Sequence, residues 1–184
     1  MLLQLMNDPC ECVRVSVANN LNDIAKDNPQ FVIDFTMTQL GKNNTLDKVL
    51  KHGCRTLLKQ AHPETMKLFG FDSKGLSLTE LRLESSSLRL GDDLMFTFEL
   101  HNETQKEIKT RLEYAIDYQK MNGSLSRKVY KTSESYLAAN SSRSVTRKQH
   151  FRPITTRRYH SGLHRLTLIL NGREMCSSDF QLQI

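Results

Sequence analysis

The spacing of apolar residues changes its period near residue 70, and this change constrains the fold more than any other feature of the chain. Before it, apolar side chains recur every three or four residues, as on one face of an α-helix. After it, they alternate with polar residues, as in strands with one buried face. The segment from Gly70 to Gly75 has the composition of a short linker. We therefore expect two domains, at residues 1–70 and 75–184.

The first of these regions predicts helices in pairs. Starts are indicated near Asn7 or Asp8 with Pro9, at Pro29, at Thr45 as an N-cap, and at Pro63. The predicted buried stripes are Val13, Val17, Leu21 and Ile24, then Phe31, Val32, Phe35 and Leu40, then Leu46, Val49, Leu50, Leu57 and Leu58. Paired helices with short turns are typical of an α-solenoid, so we expect HEAT-like repeats. Since about three repeats are usually needed for stability, we expect the C-terminal end of a longer solenoid, or a partner chain against the first helix.

The second region predicts about seven strands. Leu94, Phe96, Phe98 and Leu100 alternate with polar neighbours, and residues 108–118, 166–170 and 180–184 repeat the pattern. Asn171-Gly172 is typical of a tight hairpin turn. Seven short strands in roughly 110 residues are typical of an immunoglobulin-like sandwich. The expected fold class is thus α plus β, a short α-solenoid followed by an all-β sandwich.

Composition excludes several classes of protein. No apolar run reaches the roughly 18–20 residues that a membrane helix needs. The first residues resemble neither a secretory signal nor a transit peptide. We therefore expect a cytoplasmic protein with no membrane partner. The four cysteines (Cys10, Cys12, Cys54 and Cys176) lack zinc-finger spacing and the spacing of an immunoglobulin disulfide. We expect free thiols, no metal site and no cofactor.

The net charge of +6 is unevenly distributed. Residues 1–74 carry a net charge of +1, whereas residues 75–184 carry +5. Twelve Lys and Arg residues lie between Lys120 and Arg173, and Glu134 is the only acidic residue there. A basic surface of this kind suits phosphate groups, although a solvated face of an ordinary basic domain has the same composition.

Two features of the helical region add to this. Lys48, Lys51, Arg55 and Lys59 are spaced to form a basic ridge on the third predicted helix, with a solubilising face as the alternative. Asp23 lies in a polar stripe of the first helix, with Asp27 one turn further on and Lys26 expected on a different face. Such a carboxylate can act as a general base or stabilise a cationic transition state, although an exposed helix Asp bonded to Asn19 has the same spacing.

Several strings resemble bacterial DNA alkylation-repair proteins of the AlkC type. Residues 13–29, VRVSVANNLNDIAKDNP, resemble a VRxSVANHLNDIxKDxP signature, and residues 51–59, KHGCRTLLK, resemble its KHALRTLxK helix. Residues 63–71 resemble the PExLxLLGF ending, and residues 128–131, 151–159 and 170–172 resemble the immunoglobulin-like domain of one branch.

The resemblance implies a HEAT-like repeat glycosylase that removes cationic alkylated bases, of the 3-methyladenine type, from duplex DNA. It implies Asp23 as a catalytic carboxylate that stabilises positive charge as the N-glycosidic bond breaks. It implies DNA contacts from a larger set of basic residues: Arg14, Lys26, Lys48, Lys51, Arg55, Lys59, Arg147, Lys148, Arg152, Arg157 and Arg158. We expect the chain to be the C-terminal portion of such an enzyme, and inactive without N-terminal repeats. Two alternatives stay open: a non-catalytic DNA-binding module and a protein-interaction module.

Overall fold

A computed structural model describes residues 2–155 and 157–184, so that Met1 and Thr156 lie outside the described residues. The chain divides into two compact units, Met1–Phe71 and Asp72–Ile184. No helix in the described ranges is both long enough and apolar enough to cross a bilayer.

The first unit contains six helices within its described residues. They are α1 (Leu2–Leu5), α2 (Glu11–Asp27), α3 (Pro29–Gln39), α4 (Asn44–Gly53), α5 (Arg55–Lys59) and α6 (Pro63–Leu68). Two apolar clusters hold them together: one centres on Leu21, Val49 and Leu50, and the other on Ile33 and Leu58. Gly53 lies so near α2 that a Cβ there would meet the Leu21 Cβ at 2.9 Å, and this close approach packs α4 against α2.

The predicted α-solenoid of HEAT-like repeats is wrong. The chain is mainly β, and three of the six helices, α1, α5 and α6, have only four to six residues. The third predicted helix is not continuous, because it breaks at Cys54 into α4 and α5. The regular spacing of the apolar residues does not indicate this break. The buried Asn22 stabilises it, because the Asn22 Oδ1 accepts the Thr56 backbone N–H at 3.1 Å.

Some predicted helix details also differ. The N-cap of α4 is Asn43, not Thr45, and its Oδ1 accepts the Leu46 N–H at 2.8 Å. The first long helix begins at Glu11 rather than near Pro9, with Cys10 as its N-cap residue. Phe31, predicted to be buried, is 60% exposed, because α3 buries Val32, Ile33 and Thr36 instead.

The described residues of the second unit form a β-sandwich of eight strands. They are β1 (Leu76–Leu83), β2 (Ser87–Arg89), β3 (Asp93–Asn102), β4 (Ile108–Gln119), β5 (Leu125–Leu137), β6 (Ser141–His150), β7 (Gly162–Leu170) and β8 (Arg173–Gln183). One sheet has the order β1-β3-β6 and the other β2-β8-β7-β4-β5. Phe96, Phe98, Phe151 and Phe180 are among the largest fully buried side chains of the core. The β7–β8 turn has positive φ at Asn171 and Gly172, as an Asn-Gly hairpin requires.

The central strand β4 is buried on both faces. Tyr114, Ile116 and their neighbours of the same parity fill the core. On the opposite face, Arg111 donates to Glu113 and to Glu134, each at 2.6 Å. Arg111 and Glu113 are 4% and 1% exposed, so this ion cluster is buried.

Candidate nucleic-acid interface

A cleft between α2 and α4 brings together basic side chains of the helical unit. It has a volume of about 310 Å³ and is lined by Glu11, Arg14, Val15, Ala18, Thr45, Lys48, Val49 and His52. Arg14 comes from α2, whereas Lys48 and His52 come from successive turns of α4. The cleft is large enough for a phosphate group, with two permanent cations opposing the single carboxylate of Glu11.

Within the cleft, Arg14 is already held by the backbone. Its Nη1 donates to the Asp8 carbonyl at 2.6 Å and to the Pro9 carbonyl at 2.9 Å. These bonds fix the guanidinium beside the start of α2 and leave other N–H groups for a ligand. Partial burial lowers the pKa of His52, and the Arg55 charge lowers it further, so both effects favour the neutral imidazole in the cleft.

Asp23 lies on α2 and is 67% exposed at its side chain. Contrary to the prediction, Lys26 shares its face of the helix, and the Lys26 Nζ donates to the Asp23 Oδ1 at 2.7 Å. This hydrogen bond lowers the pKa of Asp23, and the positive charges of Lys26 and Arg55 lower it further. Asp23 is therefore an ionised carboxylate at neutral pH, better suited to stabilise a cation than to accept a proton.

The break at Cys54 places the residues of the predicted basic ridge on two helices, Lys48 and Lys51 on α4 and Arg55 and Lys59 on α5. Lys48 faces the cleft, whereas the Lys51 Nζ lies over the Phe71 ring, 5.1 Å from its centroid. Arg55 begins α5, donates to the His52 carbonyl at 3.3 Å, and acts electrostatically on Asp23. Lys59 ends the same short helix and is exposed. The structure therefore brings Arg55 towards Asp23, whereas Lys48 and Lys51, which both lie on α4, contact different neighbours.

The sequence reasoning overlooked Asn22, which positions this region. Asn22 is 1% exposed and holds the start of α5 through Thr56, so it links the Asp23 helix to the helix that carries Arg55. The sequence does indicate that Asn22 faces the apolar side of α2, because it directly follows Leu21 and lies three residues before Ala25.

In the β unit, two of the predicted residues lie on β6. Arg147 and Lys148 are both exposed, and the Lys148 Nζ lies 3.5 Å from Asp93 Oδ2. Asp93 also pairs with the His150 ring, so a carboxylate already offsets part of the charge at this end of β6. The His150 hydrogen bond lowers the pKa of Asp93, and the Lys148 charge acts in the same direction.

The remaining predicted residues lie between β6 and β7. Arg152 and Arg158 are exposed. Arg157 is different: its guanidinium lies over the Tyr118 ring, 3.8 Å from the centroid, and its Nη1 donates to the Tyr130 hydroxyl at 3.1 Å. Two aromatic side chains therefore hold Arg157, which predicts a structural role that a count of charges cannot reveal.

The structure assembles no metal centre from its described residues, since no three His, Cys, Asp or Glu side chains of 2–155 and 157–184 are grouped to hold an ion.

Comparison with known proteins places this geometry in a family. The family model described as "Uncharacterised protein YhaZ, C-terminal Ig-like domain" matches residues 77–184. The chain belongs to this family. The match confirms the predicted immunoglobulin-like domain. It does not support the predicted HEAT repeats.

Two relatives extend beyond that domain. "Uncharacterized protein YhaZ" of Bacillus subtilis (strain 168) is 37% identical over 182 residues, which are 98% of this chain and 50% of that protein. The alkylpurine DNA glycosylase AlkC of Pseudomonas fluorescens, solved bound to DNA containing an abasic site analog, is similar with a TM-score of 0.92 and 31% identity. That likeness covers 100% of this chain and 51% of the glycosylase. The resemblance to AlkC-type proteins is thus confirmed at the level of the family, and the chain spans about half the length of these relatives.

Proposed function

We propose that this chain is the C-terminal portion of a DNA glycosylase that excises cationic alkylated bases, of the 3-methyladenine type, from duplex DNA. The observation that carries the proposal is the likeness to AlkC, a glycosylase solved on DNA, with a TM-score of 0.92 over the whole chain. The geometry of the helical unit supports the same function, because it combines a cationic cleft with an ionised carboxylate on α2.

The proposed reaction requires only modest electrostatic stabilisation by the protein. A cationic base is a good leaving group, because breaking the N-glycosidic bond neutralises the charge on the base. Positive charge then develops on the sugar, and an ionised carboxylate nearby stabilises it. We propose Asp23 for this role, with its low pKa keeping it charged. Lys26 must then release Asp23 or move with it, since the two side chains are bonded at 2.7 Å.

We assign phosphate contacts to two groups of residues. In the helical unit, Arg14 and Lys48 line the cleft, and Lys26, Arg55 and Lys59 lie on α2 and α5. In the β unit, the exposed side chains of Arg147, Lys148, Arg152 and Arg158 are the candidates. Lys51 and Arg157 are weaker candidates, because both cations already lie over aromatic rings.

Lys48 offers a direct test of the cleft. We expect Lys48→Gln to lower the affinity for duplex DNA by about three- to tenfold and to reduce the slope of log affinity against log salt by about one. Lys42→Gln is the matched control, since Lys42 is exposed in the preceding turn and bonded to Gln39. Fluorescence anisotropy over a range of salt concentrations measures both quantities. Equal losses in the two variants would exclude a phosphate contact in the cleft.

Three outcomes with methylated duplex DNA separate the candidate functions. Release of the alkylated base by the full-length protein supports the glycosylase. Salt-dependent binding without release supports a non-catalytic DNA-binding module, which the cationic cleft also favours. Absence of both binding and release excludes DNA as the partner.

A further inference from the structure

Two exposed thiols meet at the start of α2. Cys10 is the N-cap residue of the helix and Cys12 is its second residue. Their Sγ atoms lie in direct contact. Both are exposed, whereas Cys54 is buried and Cys176 is partly buried. The proposed glycosylase chemistry uses neither Cys10 nor Cys12.

The surroundings divide the two thiols into a nucleophile and a proton donor. The hydrogen bond from Cys12 lowers the pKa of Cys10, and the backbone amides of Val13 and Cys12 at the helix start add to this effect. The same pairing raises the pKa of Cys12, which retains its proton. An exposed thiol whose pKa is lowered and which contacts a second exposed thiol has the features of a redox-active cysteine pair.

We propose that Cys10 and Cys12 form a redox-active dithiol, which small-molecule disulfides such as glutathione disulfide oxidise to an intramolecular disulfide. The Cys10 thiolate attacks one sulfur of the small disulfide, so that a mixed disulfide forms and one thiolate leaves. Cys12 gives its proton to the departing thiolate and attacks the Cys10 sulfur, which expels the second thiolate. Two electrons pass from the protein to the small disulfide, which becomes two thiols, one of them still ionised.

Contact between the sulfurs explains why an intramolecular product is expected. The resolving thiol of Cys12 already contacts the Cys10 sulfur, so the second step needs only a small local adjustment. A disulfide between residues two apart closes a very small ring on the surface, and exposed or strained disulfides are readily reduced again. The modification is therefore reversible.

The experiment treats the reduced chain with glutathione disulfide in the absence of oxygen, quenches the reaction with acid and records intact mass and peptide maps. We expect wild-type protein to lose two hydrogen atoms, with the new disulfide in the peptide that contains residues 10–12. A Cys12→Ser variant lacks the resolving thiol, so it should accumulate the glutathione mixed disulfide at Cys10. Cys10→Ser should react at least about fivefold more slowly, because the remaining thiol lacks the stabilised thiolate.

Cys54→Ser is the matched control and should form the 10–12 disulfide as fast as wild type, because Cys54 is buried and burial raises its pKa. Three results would overturn the proposal: a wild-type product that carries only bound glutathione, a disulfide between two chains, or a Cys10 that reacts no faster than Cys54. All variants change exposed side chains or a control thiol, and far-UV circular dichroism confirms that each is folded before treatment.

Discussion

Arg157 allows structural and DNA-binding roles to be separated, because its exposed neighbour Arg158 provides a matched control. The Arg157 guanidinium stacks on Tyr118 at 3.8 Å and bonds the Tyr130 hydroxyl at 3.1 Å. Stacking of a partly desolvated cation on an aromatic ring contributes about 0.5–2 kcal/mol. The hydrogen bond contributes about 0.5–1.5 kcal/mol. We therefore expect Arg157→Gln to reduce the free energy of unfolding of the β unit by about 1–3 kcal/mol.

Tyrosine signals make the measurement specific to this unit. The chain has no Trp, and all five Tyr residues lie after residue 113, so tyrosine fluorescence and the tyrosine band of the near-UV circular dichroism spectrum follow the β unit. A loss of about 1–3 kcal/mol lowers the midpoint of thermal unfolding by roughly 4–12 °C for a domain of this size. Arg158→Gln should change stability by less than about 0.5 kcal/mol. Arg157→Lys should recover only part of the loss, since it retains the charge without the planar stack.

Two results would refute this reasoning. Equal midpoints for Arg157→Gln and Arg158→Gln would show that the aromatic contacts do not stabilise the unit. A fully stable Arg157→Gln variant with much weaker DNA binding would assign Arg157 to the interface instead.

Two further predictions concern the β unit. Arg111→Met should cost about 3–5 kcal/mol of unfolding free energy in urea titrations, because it leaves the buried carboxylate of Glu113 without its cation. Arg165→Met breaks an exposed pair with Asp179 and should cost far less; similar losses in the two variants would contradict the account. Burial lowers the pKa of His164 in the folded chain, so as the pH falls the His164 ring takes up its proton at a higher pH in the unfolded chain than in the folded one. The free energy of unfolding should therefore be full above about pH 6.5 and decline below it. Urea titrations at pH 7.5 and 5.5 measure this decline, which His164→Gln should reduce. An unchanged slope in His164→Gln would assign the pH dependence to other groups.

Local sequence patterns predicted the β unit well because its strands alternate and its turns contain Asn-Gly. Strand β3 has one inward face, Leu94 to Leu100, and the alternation of its residues reports that face directly. The turn at Asn171 and Gly172 needs positive φ, which these two residue types tolerate best. Strand β4 was recognised too, but nothing in its alternation indicates that Arg111 and Glu113 on the other face are buried as well.

The helical unit was predicted less well because tertiary contacts override its periodicity. Leu50 and Leu57 are both buried at helical spacing, yet the helix between them breaks at Cys54, where Asn22 from α2 satisfies the Thr56 N–H. The sequence places Asn22 on the apolar side of α2, but nothing local identifies Thr56, 34 residues away, as its partner. The same break places Lys48 on α4 and Arg55 on α5, so the predicted basic ridge does not lie on one continuous helix.

The most direct test of the central proposal is the rate at which the full-length protein releases 3-methyladenine from methylated duplex DNA under single-turnover conditions. We predict release by the wild-type protein, and a decrease of at least about tenfold in Asp23→Asn, because that change removes the charge that stabilises the developing sugar cation. Affinity for the duplex should change by less than about threefold. Asp34→Asn, an exposed carboxylate on α3 bonded to Gln30, should release the base at the wild-type rate. Undiminished release by Asp23→Asn would remove Asp23 from the chemistry, and absence of release by the wild-type protein would contradict the glycosylase proposal itself.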